Sequence, residues 1–501
     1  LGFEVAKEAY GSVGYYEMTF FPTLAPRTEP QPDGLPTRID GDPVVDVTLH
    51  FQEGEQYFIN RINFVGNNTT HDEVIRREIN MVERGVFNTE ALQYSIRRLN
   101  QLGYFEPLDE DNAIQIEKRP GFDNEVNLTL NLEEANLNQL TFGAGASQFD
   151  GFFLQAGFTT TNFLGRGESL SFMLQNGERV KNYNLGFTEP FLFGRPITGG
   201  INVFRRDINF INQFSQSSIG LTTSMGLRVK RWSQAFLSYS WEETEVTELN
   251  PLFLNPDILR FNPFLQDSLL IGHDGARTIS KVTPTFQLNT VDHPIFPTTG
   301  KKYTASFEYA GLGGNTQFYK PTIEGIWYLK HAPRLSIGFR ARGEYISPIG
   351  STVGLPIFTM LTLGGDFSLR GFDIRSIGPN DPFIVHADGT TSGSGLVIGG
   401  NKSLLFNIEY LISIADPVRL VFFYDAGQVA DFDQHFATDL FRTSTGAEVR
   451  FFMPVLNVPF RLIYVFNPQR GDCPNGASCV LNDRFRPQEG SLFKFAIGTT
   501  F

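Results

Sequence analysis

The hydrophobic pattern of the chain changes period near residue 136. Before that point helical spacing is visible. In NTEALQYSIRRLNQLGYF, Leu92, Ile96 and Leu99 share one helical face, Asn88 is placed to cap the start, and Gly103 to stop the end. A shorter helix fits His71 to Ile79. Strands fit Tyr57–Val65, Ala113–Glu117 and Glu125–Glu133, the last alternating as VNLTLNLEE. The predicted order is strand, helix, helix, strand, strand.

From about Asn136 onward the period becomes two. Leu170, Phe172 and Leu174 share a face, as do Leu335, Ile337 and Phe339, and finally Phe493, Phe495, Ile497 and Phe501. Opposite faces carry Ser, Thr, Gly, Arg and Glu. The apolar face recurs in segments of about 10 residues, the length of a membrane-crossing β-strand. Sixteen strands are predicted, starting near 137, 151, 167, 181, 197, 217, 233, 277, 301, 319, 334, 400, 417, 441, 459 and 491. The long connections, 247–276, 347–399 and 468–490, each follow an odd-numbered strand, while NFLGRG and FLFGRP are tight turns. Such a strand set closes into a barrel whose long loops lie at one end. No run of about 20 apolar residues offers a transmembrane helix, so a closed barrel is the remaining way to span a bilayer. The expected fold is mainly β: a 16-stranded antiparallel transmembrane barrel after an α+β arm.

Composition fits this picture: 49 Phe and 49 Gly in 501 residues favour strands and tight turns. A net charge of −13 argues against nucleic acid, which selects a basic surface. The chain starts at Leu1 without a charged and apolar leader, which reads as a processed chain or a fragment. Cys473 and Cys479, in the polar stretch GDCPNGASCV, fit a local disulfide in an oxidising compartment. The histidines at 50, 71, 273, 293, 331, 386 and 435 stand at no metal-ligand spacing, and Asp40, Asp42 and Asp46 lack a calcium-loop pattern. No nucleophile elbow or phosphate loop occurs, and ADGTTSGSG (Ala387–Gly395) reads as a plain flexible loop. No catalytic residue, metal or cofactor is expected, and no enzymatic activity.

The arm contains a repeat. VDVTLHFQE (Val45–Glu53) matches VNLTLNLEE (Val126–Glu134), and Gly14–Tyr16 matches Gly103–Phe105, at offsets of 81 and 89 residues. These motifs resemble the POTRA domain, a periplasmic module that handles polypeptides, with residues 1–54 the C-terminal part of one copy and 55–135 a complete one. Downstream, GGDFSLRGF (Gly364–Phe372) stands between DHPIFPTTGKKY (Asp292–Tyr303) and GGNKSLLFNIEY (Gly399–Tyr410), followed by FFYDAGQV (Phe422–Val429) and a terminal FKFAIGTTF. NFLGRGE (Asn162–Glu168) and GFTEPFLFGRP (Gly186–Pro196) belong to the same ordered set. Together they resemble the outer-membrane insertase family, BamA and its relatives, along essentially the whole chain, with 136–501 as the barrel.

That resemblance implies that loop 347–399 folds into the lumen and carries Leu369, Arg370, Gly371 and Phe372 there. A buried Arg370 needs a carboxylate partner. Strand parity points Arg419, Val421, Phe423 and Asp425 inward and Leu420, Phe422 and Tyr424 to lipid; Glu409 and Glu448 point inward by the same rule. Asp425 is the favoured partner, with Glu409 or Glu448 as alternatives. Gly371 would allow a tight turn and Phe372 would anchor the loop. Arg370 can hold the barrel closed, serve substrate handling, or both. Leu140, Phe142, Gly143 and Gly145 of the first strand and Phe495, Gly498 and Phe501 of the last would form a lateral seam, weakened by glycine. The implied function is insertion of β-barrel proteins into the bacterial outer membrane by client strand pairing at that seam. Its partners would be unfolded outer-membrane proteins, periplasmic chaperones, accessory lipoproteins and outer-membrane lipid. The alternative is a two-partner secretion exporter of the same superfamily.

Overall fold

The computed structural model describes residues 2–27, 38–39, 42–108, 113–147, 151–211, 213–230, 232–251, 275–293, 296–352, 354–379, 384–385, 391–392, 397–415, 418–453, 458–467 and 491–497. They form two compact units, Leu1–Gln139 with Thr160–Glu168, and Leu140–Thr159 with Ser169–Phe501.

In the first unit, helix α1 (Gly2–Gly11) precedes strands β1 (Thr19–Pro26) and β2 (Val45–Gln52), which pair antiparallel with Thr19 opposite Gln52. Then follow β3 (Phe58–Val65), α2 (Asp72–Arg76), α3 (Thr89–Leu102), β4 (Ile114–Lys118) and β5 (Glu125–Asn131). Strand β5 is central, parallel to β3 and antiparallel to β4. Helix α3 begins and ends for the expected reasons: the Asn88 side chain accepts a hydrogen bond from the Ala91 N–H, and Gly103 takes φ 66°. Helix α2 is shorter than predicted, because after Arg76 the chain turns and Ser95 Oγ accepts the Asn80 N–H.

The alternation in β5 has its physical outcome here. Val126, Leu128 and Leu130 are wholly buried against Val74, Ile75, Ile96 and Leu99. At the equivalent positions of the earlier copy, Val45, Val47 and Leu49 are exposed. Among the described residues of that copy are α1, β1, β2 and a two-residue pairing of Arg38–Ile39 with Asp42–Pro43, and none of them forms an apolar layer over this face.

The second unit is a closed antiparallel barrel, the strand ends at 138–139, 160–163 and Glu168 grouping with the first unit. Its strands are β6 (Asn138–Ser147), β7 (Gly151–Phe163), β8 (Glu168–Gly177), β9 (Val180–Glu189), β10 (Ile197–Phe210), β11 (Phe214–Lys230), β12 (Ser233–Thr247) and β13 (Arg277–Asn289). They continue as β14 (Gly300–Gly314), β15 (Phe318–Ala332), β16 (Leu335–Tyr345), β17 (Lys402–Ala415), β18 (Val418–Ala430), β19 (Arg442–Met453), β20 (Val458–Phe466) and β21 (Ser491–Ile497). Each starts within three residues of its predicted start. A two-residue strand, Ser347–Pro348, supplements the wall by pairing with β15. The outward face of the wall is apolar: Leu185, Ile201, Leu221, Leu237, Ile323, Leu329, Phe422 and Tyr424 are all exposed. A continuous apolar band outside and polar side chains inside is the inverse of a water-soluble barrel and suits a bilayer.

Candidate functional site

Strand β18 presents its two faces as parity requires. Arg419, Val421, Phe423 and Asp425 are buried, while Phe422 and Tyr424 are 49% and 46% exposed. Three neighbouring strands therefore aim carboxylates at one place inside the barrel: Glu409 from β17, Asp425 from β18 and Glu448 from β19.

Arg370 meets all three. Its Nε and Nη2 donate to the two oxygens of Asp425 at 2.7 and 2.6 Å, and its backbone N–H donates to the same carboxylate at 3.1 Å. Nη1 donates to Glu409 at 2.7 Å and to Glu448 at 3.0 Å. The guanidinium lies 3.6 Å from the centroid of the Phe423 ring. Asp425 is thus the bidentate partner; Glu409 and Glu448, expected as alternatives to it, bind alongside it. A planar guanidinium with five N–H groups can satisfy three carboxylates at once, which the one-partner reading overlooked.

Two further arginines complete the cluster, and sequence reasoning missed both. Arg450 reaches Glu409 and Glu448 at 2.5 Å, and Arg461 forms a fork on Glu448 at 2.6 and 2.9 Å. Three arginines thus face three carboxylates, which lets this many charges sit away from water without net charge. Inward parity could have found them: Arg450 lies two residues beyond Glu448 on β19, and Arg461 stands opposite Arg450. Asn407 ties the site further, donating to Asp425 and to the Ser368 carbonyl, each at 2.8 Å.

The loop is seated by its backbone and apolar groups as well. Gly371 has φ 84°, and a Cβ there would stand 2.6 Å from Asn467 Oδ1 and from Val465 Cγ2. Only glycine meets both demands. The Gly371 carbonyl accepts from Asn467 Nδ2 at 2.7 Å. Leu369 and Phe372 are buried in a cluster with Leu363, Ile377, Leu405 and Val429. Arg461 donates to the Asp366 carbonyl at 3.1 Å, and Lys494 of β21 lies 3.5 Å from the Phe372 carbonyl and 3.8 Å from Asp366.

The first and last strands, β6 and β21, are neighbours in the closed order. Leu140 and Phe142 are exposed at 68% and 72%, as is Phe495 at 37%, so the outward rows of both strands are apolar. Gly143 faces the Gln155 side chain, with Gly145 two positions on in the same strand. Gly498, Phe501, Cys473 and Cys479 lie outside the described residues.

In the first unit, Glu134 accepts the backbone N–H groups of Thr69 and Thr70 at 2.9 and 2.6 Å. Partial burial raises its pKa, but these hydrogen bonds to the charged form outweigh it, and the carboxyl is held below the usual glutamate value. This unit also takes in the NFLGRGE turn: Asn162, at φ 59°, donates to Thr70 Oγ1 at 2.7 Å and accepts the Gly167 N–H at 2.7 Å.

Fold and site together define a class: a transmembrane β-barrel with an arginine-anchored loop in its lumen, carrying an α+β arm. A family model described as the Omp85 superfamily domain matches residues 162–501, and the POTRA model, described as a surface antigen variable number repeat, matches 57–135. The chain belongs to the Omp85 superfamily. It is 27% identical over 404 residues to outer membrane protein assembly factor BamA of Neisseria meningitidis serogroup B, covering 77% of this chain and 48% of that protein. It is 26% identical over 464 residues to the protein of the same name from Nitratidesulfovibrio vulgaris, covering 91% of this chain and 53% of that one. The chain therefore spans about half the length of these curated relatives. Among solved structures, BamA from Haemophilus ducreyi lacking POTRA domains 1–3 matches with TM-score 0.72 at 21% identity, covering 98% of this chain and 92% of that one. That last likeness is one of fold.

Proposed function

We propose that this protein inserts and folds β-barrel proteins in the bacterial outer membrane, with its N-terminal arm in the periplasm. The observation that carries the reading is the barrel's closure: the two ends of one sheet meet at β6 and β21, with apolar outward residues on both strands. Parting such a seam exposes backbone N–H and C=O groups that hydrocarbon cannot satisfy. An arriving client strand satisfies them, so client folding and seam opening support one another. The client's own burial of backbone and apolar groups supplies the free energy. No bond is made or broken, and the protein acts as a template rather than an enzyme.

The Arg370 cluster suits this role. It binds the lumen loop to β17, β18, β19 and β20, stiffening the wall that ends at the seam. Unfolded outer-membrane proteins are the expected clients, delivered by periplasmic chaperones, with accessory lipoproteins assisting; the arm's exposed strand edges suit main-chain pairing with many sequences.

The test is the folding rate of a urea-unfolded outer-membrane barrel in liposomes containing this protein, against empty liposomes. Acceleration that disappears when a disulfide joins β6 to β21, and returns on reduction, is the expected result. A correctly folded barrel that gives no acceleration, with accessory proteins added, would sink the reading and favour the exporter.

A further inference from the structure

The outward face of the barrel is not uniformly filled. At β14, β15 and β16 it carries small residues where neighbouring rows carry large ones: Ala305, Gly325, Ala341 and Gly343. Pairing places them side by side, Gly325 opposite Ala341, and both Ala305 and Gly343 opposite Ile323. Together with the exposed Ile323, which rises between Ala305 and Gly343, they line a groove of about 440 Å³ walled by Tyr303, Trp327, Leu404 and Phe406. Trp327 leans across its end, since a Cβ on Gly325 would stand 2.6 Å from the indole ring.

The groove is polarised along its length. At its end nearer the Gly300 start of β14, the Trp327 Nε1–H donates to the Tyr303 hydroxyl at 2.8 Å. On the same outward face, two residues before Tyr303, exposed Lys301 lies with its Nζ 5.9 Å from the Tyr303 ring. Hydrogen-bonded aromatics beside a cation are the chemistry of a bilayer's headgroup boundary, while the small-residue floor lies deeper along the strands. The groove continues the apolar band already described, so hydrocarbon is what covers it.

We propose that this groove is a binding site for one glycerophospholipid. An acyl chain lies over Ala305, Ala341 and Gly343, against the exposed Ile323 that stands between Ala305 and Gly343, and the phosphate meets Lys301. Large side chains at Ala305, Ala341 and Gly343 would make the wall flush; their small size leaves a channel beside Ile323, between aromatic rows. Lys301 supplies the charge complementary to a phosphodiester. The inference rests on the exterior being lipid-facing and not on client insertion, so a failed insertion assay would leave it standing.

The test is native mass spectrometry of the full chain in detergent, titrated with palmitoyl-oleoyl phosphatidylglycerol. Gly343→Leu fills the groove without strain, because a Cβ there meets only Leu404, at 3.6 Å. We expect the wild-type protein to retain one phospholipid through detergent exchange and Gly343→Leu to lose at least tenfold in bound lipid. Lys301→Ala, which leaves the wall intact, should weaken binding about fivefold, the worth of one interfacial lysine. Folding of both variants is checked by heat-modifiable gel mobility. Equal retention by wild type and Gly343→Leu would reduce the groove to ordinary annular lipid and overturn the proposal. Displacement of the phospholipid by a lipid A glycolipid at equal concentration would overturn its ligand class.

Discussion

Arg370 shows how one side chain can carry a long-range constraint. Its guanidinium is fully buried and engages three strands through Glu409, Asp425 and Glu448. Removing it leaves a surplus of buried negative charge, a cost of about 3–5 kcal/mol. Arg370→Ala should therefore lower the temperature at which the folded gel band converts to the unfolded one. Adding Asp425→Asn should restore part of the loss, and additive losses in the pair would contradict the direct coupling seen here. Arg370→Lys should behave closer to Ala than to Arg, because a lysine cannot form the fork on Asp425. Gly371→Ala is the subtler change. It forces a side chain into φ 84° and toward Asn467 and Val465, a strain of about 1–3 kcal/mol. Its conversion temperature should fall with the Arg370 contacts still formed; an unchanged temperature would mean that the loop turn relaxes freely.

At the scale of elements, the arm's strand β5 and the segment after it do two jobs. The strand buries Val126, Leu128 and Leu130, and the following Glu134 holds the loop at Thr69 and Thr70. Because the folded-state pKa of Glu134 lies below the unfolded one, its contribution is fully present above the ordinary glutamate range of about 4.3. It is lost as pH falls through the lower folded-state value. The urea midpoint of arm unfolding in the full-length protein, followed by the helix signal in circular dichroism, should drop more in that acid range for wild type than for Glu134→Gln. Parallel pH profiles for the two proteins would remove Glu134 as the cause. The two copies of the repeat show the same alternating strand in two environments, buried in one and exposed in the other.

Across the whole molecule, the strands that carry the buried ion pairs lie close in the closed order to the glycine-bearing first strand. Strands β17 to β20 are bound through the lumen loop by buried ion pairs and Asn467, and β21 reaches the same loop through Lys494. The first strand, β6, contributes glycine and outward apolar residues instead. Under the proposed function, Arg370→Ala should slow client folding in liposomes even at temperatures where the barrel remains folded, because the wall beside the seam loses its brace. Full activity in a folded Arg370→Ala barrel would assign the cluster to stability alone.

Much of this was legible from residues alone, because the relevant physics is local and periodic. A period of two fixes which side of a strand is apolar, so the strand starts, the inward set Arg419 to Asp425 and the outward set Phe422 and Tyr424 follow from the order of residues. The helix caps at Asn88 and Gly103 follow from backbone chemistry. What the order of residues could not specify was register between strands distant in sequence. Only the closed sheet set Arg461 beside Glu448, let Arg370 engage three carboxylates together, and brought Ala305, Ala341 and Gly343 into one groove. Those arrangements depend on strand stagger and barrel curvature, which belong to the whole sheet rather than to any segment of it.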